Sequence, residues 1–199
     1  MSDKSGDVNR HVPLGLIVRL LLVAALRIGR RTNLCPMRTL VLMRHAKSDY
    51  PHGVPDHERP LAPRGEREAA LAGDWLRSSI GIIDAVLCSS ATRTRQTLER
   101  TEVEAPTSFL DELYDAYPGA VIEEINKVGD DVTTLLVVGH EPTTSHVALG
   151  LAGPGSDRDA AEQISFKYPT SAIAVLRVPG DWAGLQLRGA ELTTFHIPR

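Results

Sequence analysis

The stretch LVLMRHAKS, residues 40–48, runs from an apolar segment of strand type straight into an adjacent Arg44 and His45. Strand ends of α/β sheets are where ligands usually bind. An arginine there offers a planar fork that matches phosphate oxygens, and a histidine beside it carries a lone pair that can attack phosphorus. Taken alone, such a pair has a plainer reading: an arginine bridged to a surface carboxylate and a capped or core histidine. What decides between them is whether other segments deliver matching groups to the same edge.

Two segments do. SSATRTRQT, residues 89–97, follows the apolar run DAVLC, and GHEPTT, residues 139–144, follows TTLLVV. Strands that point the same way in a sheet put their carboxyl ends along one edge. Three motifs far apart in sequence would then gather Arg44, His45, Arg93 and His140 around one small anion. The second motif also falls at a strand-to-helix turn, where free N–H groups and the helix dipole favour negative charge.

The periodicity of the chain supports that layout. Strands are predicted at 39–43, 84–88 and 133–138, and helices at 63–80, 91–101, 118–128 and 142–151. Segments 171–178 and 185–195 read as an antiparallel pair around the turn PGDW, and 109–114 is too short to assign. The expected class is α/β, a mixed sheet with helices on both faces. Gly150, Gly153 and Gly155 follow a predicted helix and so read as a helix stop and loop, not a dinucleotide motif. The GxxxxGK[ST] nucleotide-hydrolase motif is absent.

Composition narrows the class further. With 199 residues, 42% of them hydrophobic, the chain can bury one substantial core. A formal net charge of −3 argues against a nucleic-acid binder with a broad basic surface, so phosphate recognition must be local. Cys35 and Cys88 are the two cysteines, and Cys88 ends a predicted buried strand, which favours a reducing, cytoplasmic setting over a disulfide framework. Asp56, His57 and Glu58 are adjacent in a predicted loop and cannot readily converge on one ion; they read as a solvated polar loop, and no metal or cofactor is expected.

Residues 1–36 differ in character from 37–199 and are read as an extension. LGLIVRLLLVAAL, residues 14–26, is shorter than a membrane span and is broken by Arg19. An accessory segment or a mis-called start is favoured over a helix that touches a membrane surface or a partner. Nothing in the sequence reports the oligomeric state.

From Met37 to near the C-terminus the chain resembles the histidine phosphatase superfamily, and within it the SixA-type phosphohistidine phosphatases. RHA, RPLAPRG, SSATRTRQT and GHEP carry the resemblance as an ordered set. It implies a three-layer, mostly parallel, phosphoglycerate mutase-like fold and a covalent phosphohistidine intermediate formed without metal. By resemblance His45 is the nucleophile, Arg44 and Arg93 bind the transferred phosphoryl group, and His140 contacts it; Arg59 matches a further pocket arginine. Glu112 in FLDELYD stands where many members carry a general acid, although a solvated glutamate is an equal reading. The implied substrate is a phosphorylated protein, most simply protein phosphohistidine, with a small phosphate ester as the alternative. Short spans between motifs leave little room for a lid, which disfavours a mutase. A non-catalytic phosphate-binding or membrane-tethered module is the reading from another class, disfavoured because a binder has no need of the nucleophile.

Overall fold

The computed structural model describes residues 36–199, so the expectations for the extension and for residues 14–26 lie outside the described residues. Six strands form one sheet: β1 (Met37–Arg44), β2 (Ala85–Ser89), β3 (Thr107–Leu110), β4 (Thr134–Gly139), β5 (Ile173–Pro179) and β6 (Glu191–His196). Their order is β3-β2-β4-β1-β5-β6. Strands β1 to β4 run parallel, and β5 is antiparallel to both β1 and β6. The helices are α1 (Pro63–Ser79), α2 (Thr92–Thr101), α3 (Pro118–Asn126), α4 (Thr143–Leu151) and α5 (Arg158–Phe166).

Strand β1 shows how the layers arise. Side chains alternate across a strand, so Leu40 and Leu42 join Leu135 and Val137 under Val121, Ile125, Val147, Leu151 and Ile164 of α3, α4 and α5. Val41 and Met43 face the other way, with Leu136 and Val138 under Ala72, Leu76 and Leu98 of α1 and α2. All four β1 side chains are at most 1% exposed. A strand covered on both faces must be apolar throughout, which is why LVLM lacks the alternation of a surface strand. The fold is the expected three-layer α/β sandwich.

Three elements depart from the sequence expectation. The last strand is shorter than 185–195 and shifted, because Arg188 adopts a positive φ and Ala190 bridges to Ala152 before β6 begins. Helix α5 was not predicted; its N-cap is Asp157, whose carboxylate accepts from the Ala160 N–H at 2.8 Å. Segment 109–114 resolves into the end of β3 and a 3-10 turn over Asp111–Leu113. No helix among the described residues is long and apolar enough to cross a membrane.

Register then sets the site. Arg44 pairs with Gly139 across β1 and β4, and Cys88 with Val138 across β2 and β4. The residues that follow therefore leave the sheet along one edge. Strand β5 enters from that edge, where Arg44 N–H donates to the Ala172 carbonyl and Ser171 N–H to that of His45.

Candidate active site

His45 sits one residue past the end of β1, its N–H donating to the Gly139 carbonyl at 2.9 Å. The next residue is tied to α2: Ala46 N–H donates to Thr97 Oγ1 at 2.8 Å, and Thr97 Oγ1 donates to the Arg93 carbonyl at 2.6 Å. Gly65 closes the other side, since a Cβ there would collide with the Lys47 backbone. The histidine is thus held by a strand end, the middle of a helix and a close backbone approach at once.

The imidazole is oriented as firmly as its backbone. His45 Nδ1 lies 2.7 Å from the Ala46 carbonyl, which can only accept, so the proton is on Nδ1 and the lone pair on Nε2. Burial lowers its pKa to about 3 against the help of that hydrogen bond, and His140, Arg93 and Arg44 push the same way as burial. The ring is neutral at neutral pH.

His140 leaves β4 beside it, ring centroids 5.1 Å apart. Its Nε2 is 2.8 Å from Ser89 Oγ. Ser89 is fully buried, and His140 is the acceptor its hydroxyl reaches among the described residues. That places the ring proton on Nδ1, a buried atom without a partner among the described residues. Burial, then Arg93, hold the His140 pKa at about 3.

Arg93, in the first turn of α2, reaches toward the loop before α1. Its Nη1 donates to the Asp56 carbonyl at 2.6 Å and its Nη2 to Asp56 Oδ2 at 3.1 Å. Tyr114 donates to the same Oδ2 at 2.9 Å. Arg59 Nη1 donates to Asp56 Oδ1 and Nη2 to Ser48 Oγ, each at 2.5 Å, while its guanidinium lies 3.4 Å over the Tyr50 ring. Arg44 Nη1 donates to the Tyr168 carbonyl at 2.6 Å. The Tyr114 hydrogen bond, followed by Arg59 and Arg93, keeps the Asp56 carboxyl at about 2.

Arg44, His45, Arg93 and His140 therefore meet at one edge of the sheet, with Arg59 joined to them through Asp56. Glu112 is not brought to that group. It is exposed on the 3-10 turn, its charge acts on Lys127, and it does not line the cleft of about 560 Å³ formed by Asp56, Arg93, Tyr114, His140, Glu141 and neighbours. A void of about 20 Å³ between His140 and Leu42, Val137 and Val147 is too small for a phosphoryl group. Sequence reasoning missed Asp56, Tyr114 and Ser89. The solvated-loop reading of Asp56 and His57 is corrected: Asp56 binds two arginines, and His57 Nε2 lies 3.0 Å from Ser90 Oγ. The spacing of Asp56 and Arg59 was the available signal; nothing local marked Tyr114.

Two buried neutral histidines make stability fall in acid. Both rings have pKa values near 3 when folded and near 6.5 when unfolded, so between those values the unfolded chain binds more protons. Lowering the pH through that window should cost up to roughly 1.4 kcal/mol per pH unit for each ring. Denaturant melts from pH 7 to pH 4 check this; a slope unchanged in His140→Asn would mean that the ring takes up its proton alike in the folded and unfolded states.

Comparison with known proteins agrees with the geometry. Residues 40–121 match the model of the histidine phosphatase superfamily (branch 1). An uncharacterised protein of Mycobacterium tuberculosis is 63% identical over 158 residues, 79% of this chain and 100% of that protein. The structure provisionally assigned as phosphohistidine phosphatase SixA from Nakamurella multipartitia superposes with a TM-score of 0.76 at 40% identity, covering 81% of this chain and 96% of that one. A protein histidine phosphatase SixA complexed with tungstate gives 0.65 at 25% identity, over 80% and 97% of the two chains. Motif order, sheet register and these likenesses converge, and the chain belongs to the histidine phosphatase superfamily, in its SixA-type branch.

Proposed function

We propose that this phosphatase removes a phosphoryl group from phosphohistidine on a protein, through a covalent intermediate on His45. The observation that carries the reading is the neutral His45 ring, its Nδ1–H held by Ala46 and its Nε2 lone pair free, beside Arg44, Arg93 and His140. In the first step the Nε2 pair forms a bond to phosphorus while the bond from phosphorus to the substrate nitrogen breaks and its electrons return to that ring. In the second, water attacks phosphorus and the bond to Nε2 breaks, releasing inorganic phosphate and restoring the neutral imidazole.

Phosphoryl transfer asks mainly for position and for positive charge at the equatorial oxygens. Arg44 and Arg93 supply the charge, with His140 beside them, so no metal is invoked. The SixA relative complexed with tungstate, a tetrahedral oxyanion, supports an anion pocket here. An open cleft, with no lid over it among the described residues, suits a group carried on a folded partner.

The reading is tested by hydrolysis of a phosphohistidine protein beside an alkyl phosphate. Leaving imidazole retains its own proton, whereas an alkoxide must receive one. Turnover should be faster on phosphohistidine, and Glu112→Gln should change either rate by less than about twofold, because an exposed glutamate outside the cleft delivers no proton. A hundredfold loss on the ester in that variant would restore Glu112 as a general acid and favour a small-molecule ester phosphatase.

A further inference from the structure

We infer that Asp56 selects the leaving group: its carboxylate accepts a hydrogen bond from the distal ring N–H of a protonated phosphohistidine, favouring phosphorylated imidazole over phosphate esters. The inference rests on the phosphohistidine reading above.

An ionised carboxylate offers about four acceptor positions on its two oxygens. Three are filled at Asp56: Oδ2 takes Arg93 and Tyr114, and Oδ1 takes Arg59. One position on Oδ1 is unfilled among the described residues, and Asp56 lines the cleft. With its pKa held at about 2 the carboxylate is ionised at neutral pH, so it can accept a hydrogen bond but cannot donate one. It is a recognition group, not a general acid.

The chemistry asks for such an acceptor. Transfer from phosphohistidine to His45 exchanges one imidazole for another. As phosphorus moves to His45 Nε2, positive charge develops on the His45 ring, and the Ala46 carbonyl meets it at Nδ1–H. The departing ring must carry a proton on its distal nitrogen, so that cleavage of its bond to phosphorus leaves neutral imidazole instead of imidazolate. That second ring needs an acceptor equivalent to Ala46 on the opposite side of phosphorus. His45 is 9% exposed, whereas the Asp56 side chain is 53% exposed and lines the open cleft through which a partner's histidine would enter. An ester has no N–H to offer, and its oxygen lone pairs would face a negative charge.

The test is the ratio of kcat/KM for phosphoimidazole to kcat/KM for p-nitrophenyl phosphate, whose phenolate leaves without a delivered proton. Measured on one preparation, the ratio cancels the fraction of folded protein. Loss of a charge-assisted hydrogen bond should lower it by about ten- to a hundredfold in Asp56→Asn. Asp56→Glu should recover part of the loss. An unchanged ratio overturns the inference while the function reading stands: with equal losses on both substrates Asp56 only steadies Arg93, and with no loss on either it does not meet the leaving ring. A parent enzyme inert toward phosphoimidazole and toward a phosphohistidine protein would instead overturn the function reading itself.

Discussion

His45→Ala should abolish turnover, with a fall on the order of 10⁴-fold or more, as when a covalent nucleophile is deleted from a site that acts as a unit. The same variant should lose a transient phosphoenzyme that the parent forms in the first milliseconds after mixing. That species has a chemical signature, because a phosphorus–nitrogen bond to imidazole survives alkali and breaks in acid, the opposite of a phosphoserine. Rapid quench into base and into acid, with labelled substrate, reads both properties. The loss should be chemical and not structural: His45 packs no large apolar group into the core, and the strand that carries it is fixed by its neighbours on both sides. Full activity in a well-folded His45→Ala protein, or label stable in acid, would remove covalent catalysis at this residue.

Arg93→Ala should cost about 2 to 4 kcal/mol of transition-state stabilisation, as when a donor is lost from a preorganised anion site. Replacement by Lys should recover little. Arg93 already spends one N–H of each terminal nitrogen on Asp56, and the guanidinium still has its remaining N–H groups in a fixed plane for phosphoryl oxygens. An ammonium on a flexible stem can satisfy the loop or the phosphoryl group but cannot hold both in one geometry. The check is kcat/KM on the same substrate pair for Arg93→Ala and Arg93→Lys. Parent-like kinetics in Arg93→Lys would show that a point charge suffices and that the fork has no part.

Much of this site can be read from the sequence, for a physical reason. LVLM, AVLC and LLVV are apolar because they are covered on both faces, and parallel pairing then forces RHA, SSATRTRQT and GHEP to one edge. What the sequence does not carry is contact between surface segments. Asp56 reaches Arg93 across 37 positions and Tyr114 across 58, through loops whose path depends on the assembled sheet. Read locally, DHER is a polar loop, and only the fold reveals that its acid closes on Arg93 and Tyr114. Glu112 shows the converse: motif order put it in the right segment, but the 3-10 turn presents Leu113 to the core and leaves Glu112 in solvent. Helix α5 was missed for a weaker reason, since its apolar face is little more than Ala160 and Ile164, too narrow a stripe to register as helical periodicity.

The place of β1 between β4 and β5 bears on how damage elsewhere in the molecule would be felt. His45, the proposed nucleophile, hangs from one of the two central strands of the sheet, so its geometry fails chiefly when the sheet itself comes apart. A core substitution that weakens the fold would then not produce a population of blunted enzymes with intermediate rates. It would thin the number of intact molecules while each survivor kept its full turnover, so a cell would register the lesion as scarcity of the protein and not as a poorer catalyst.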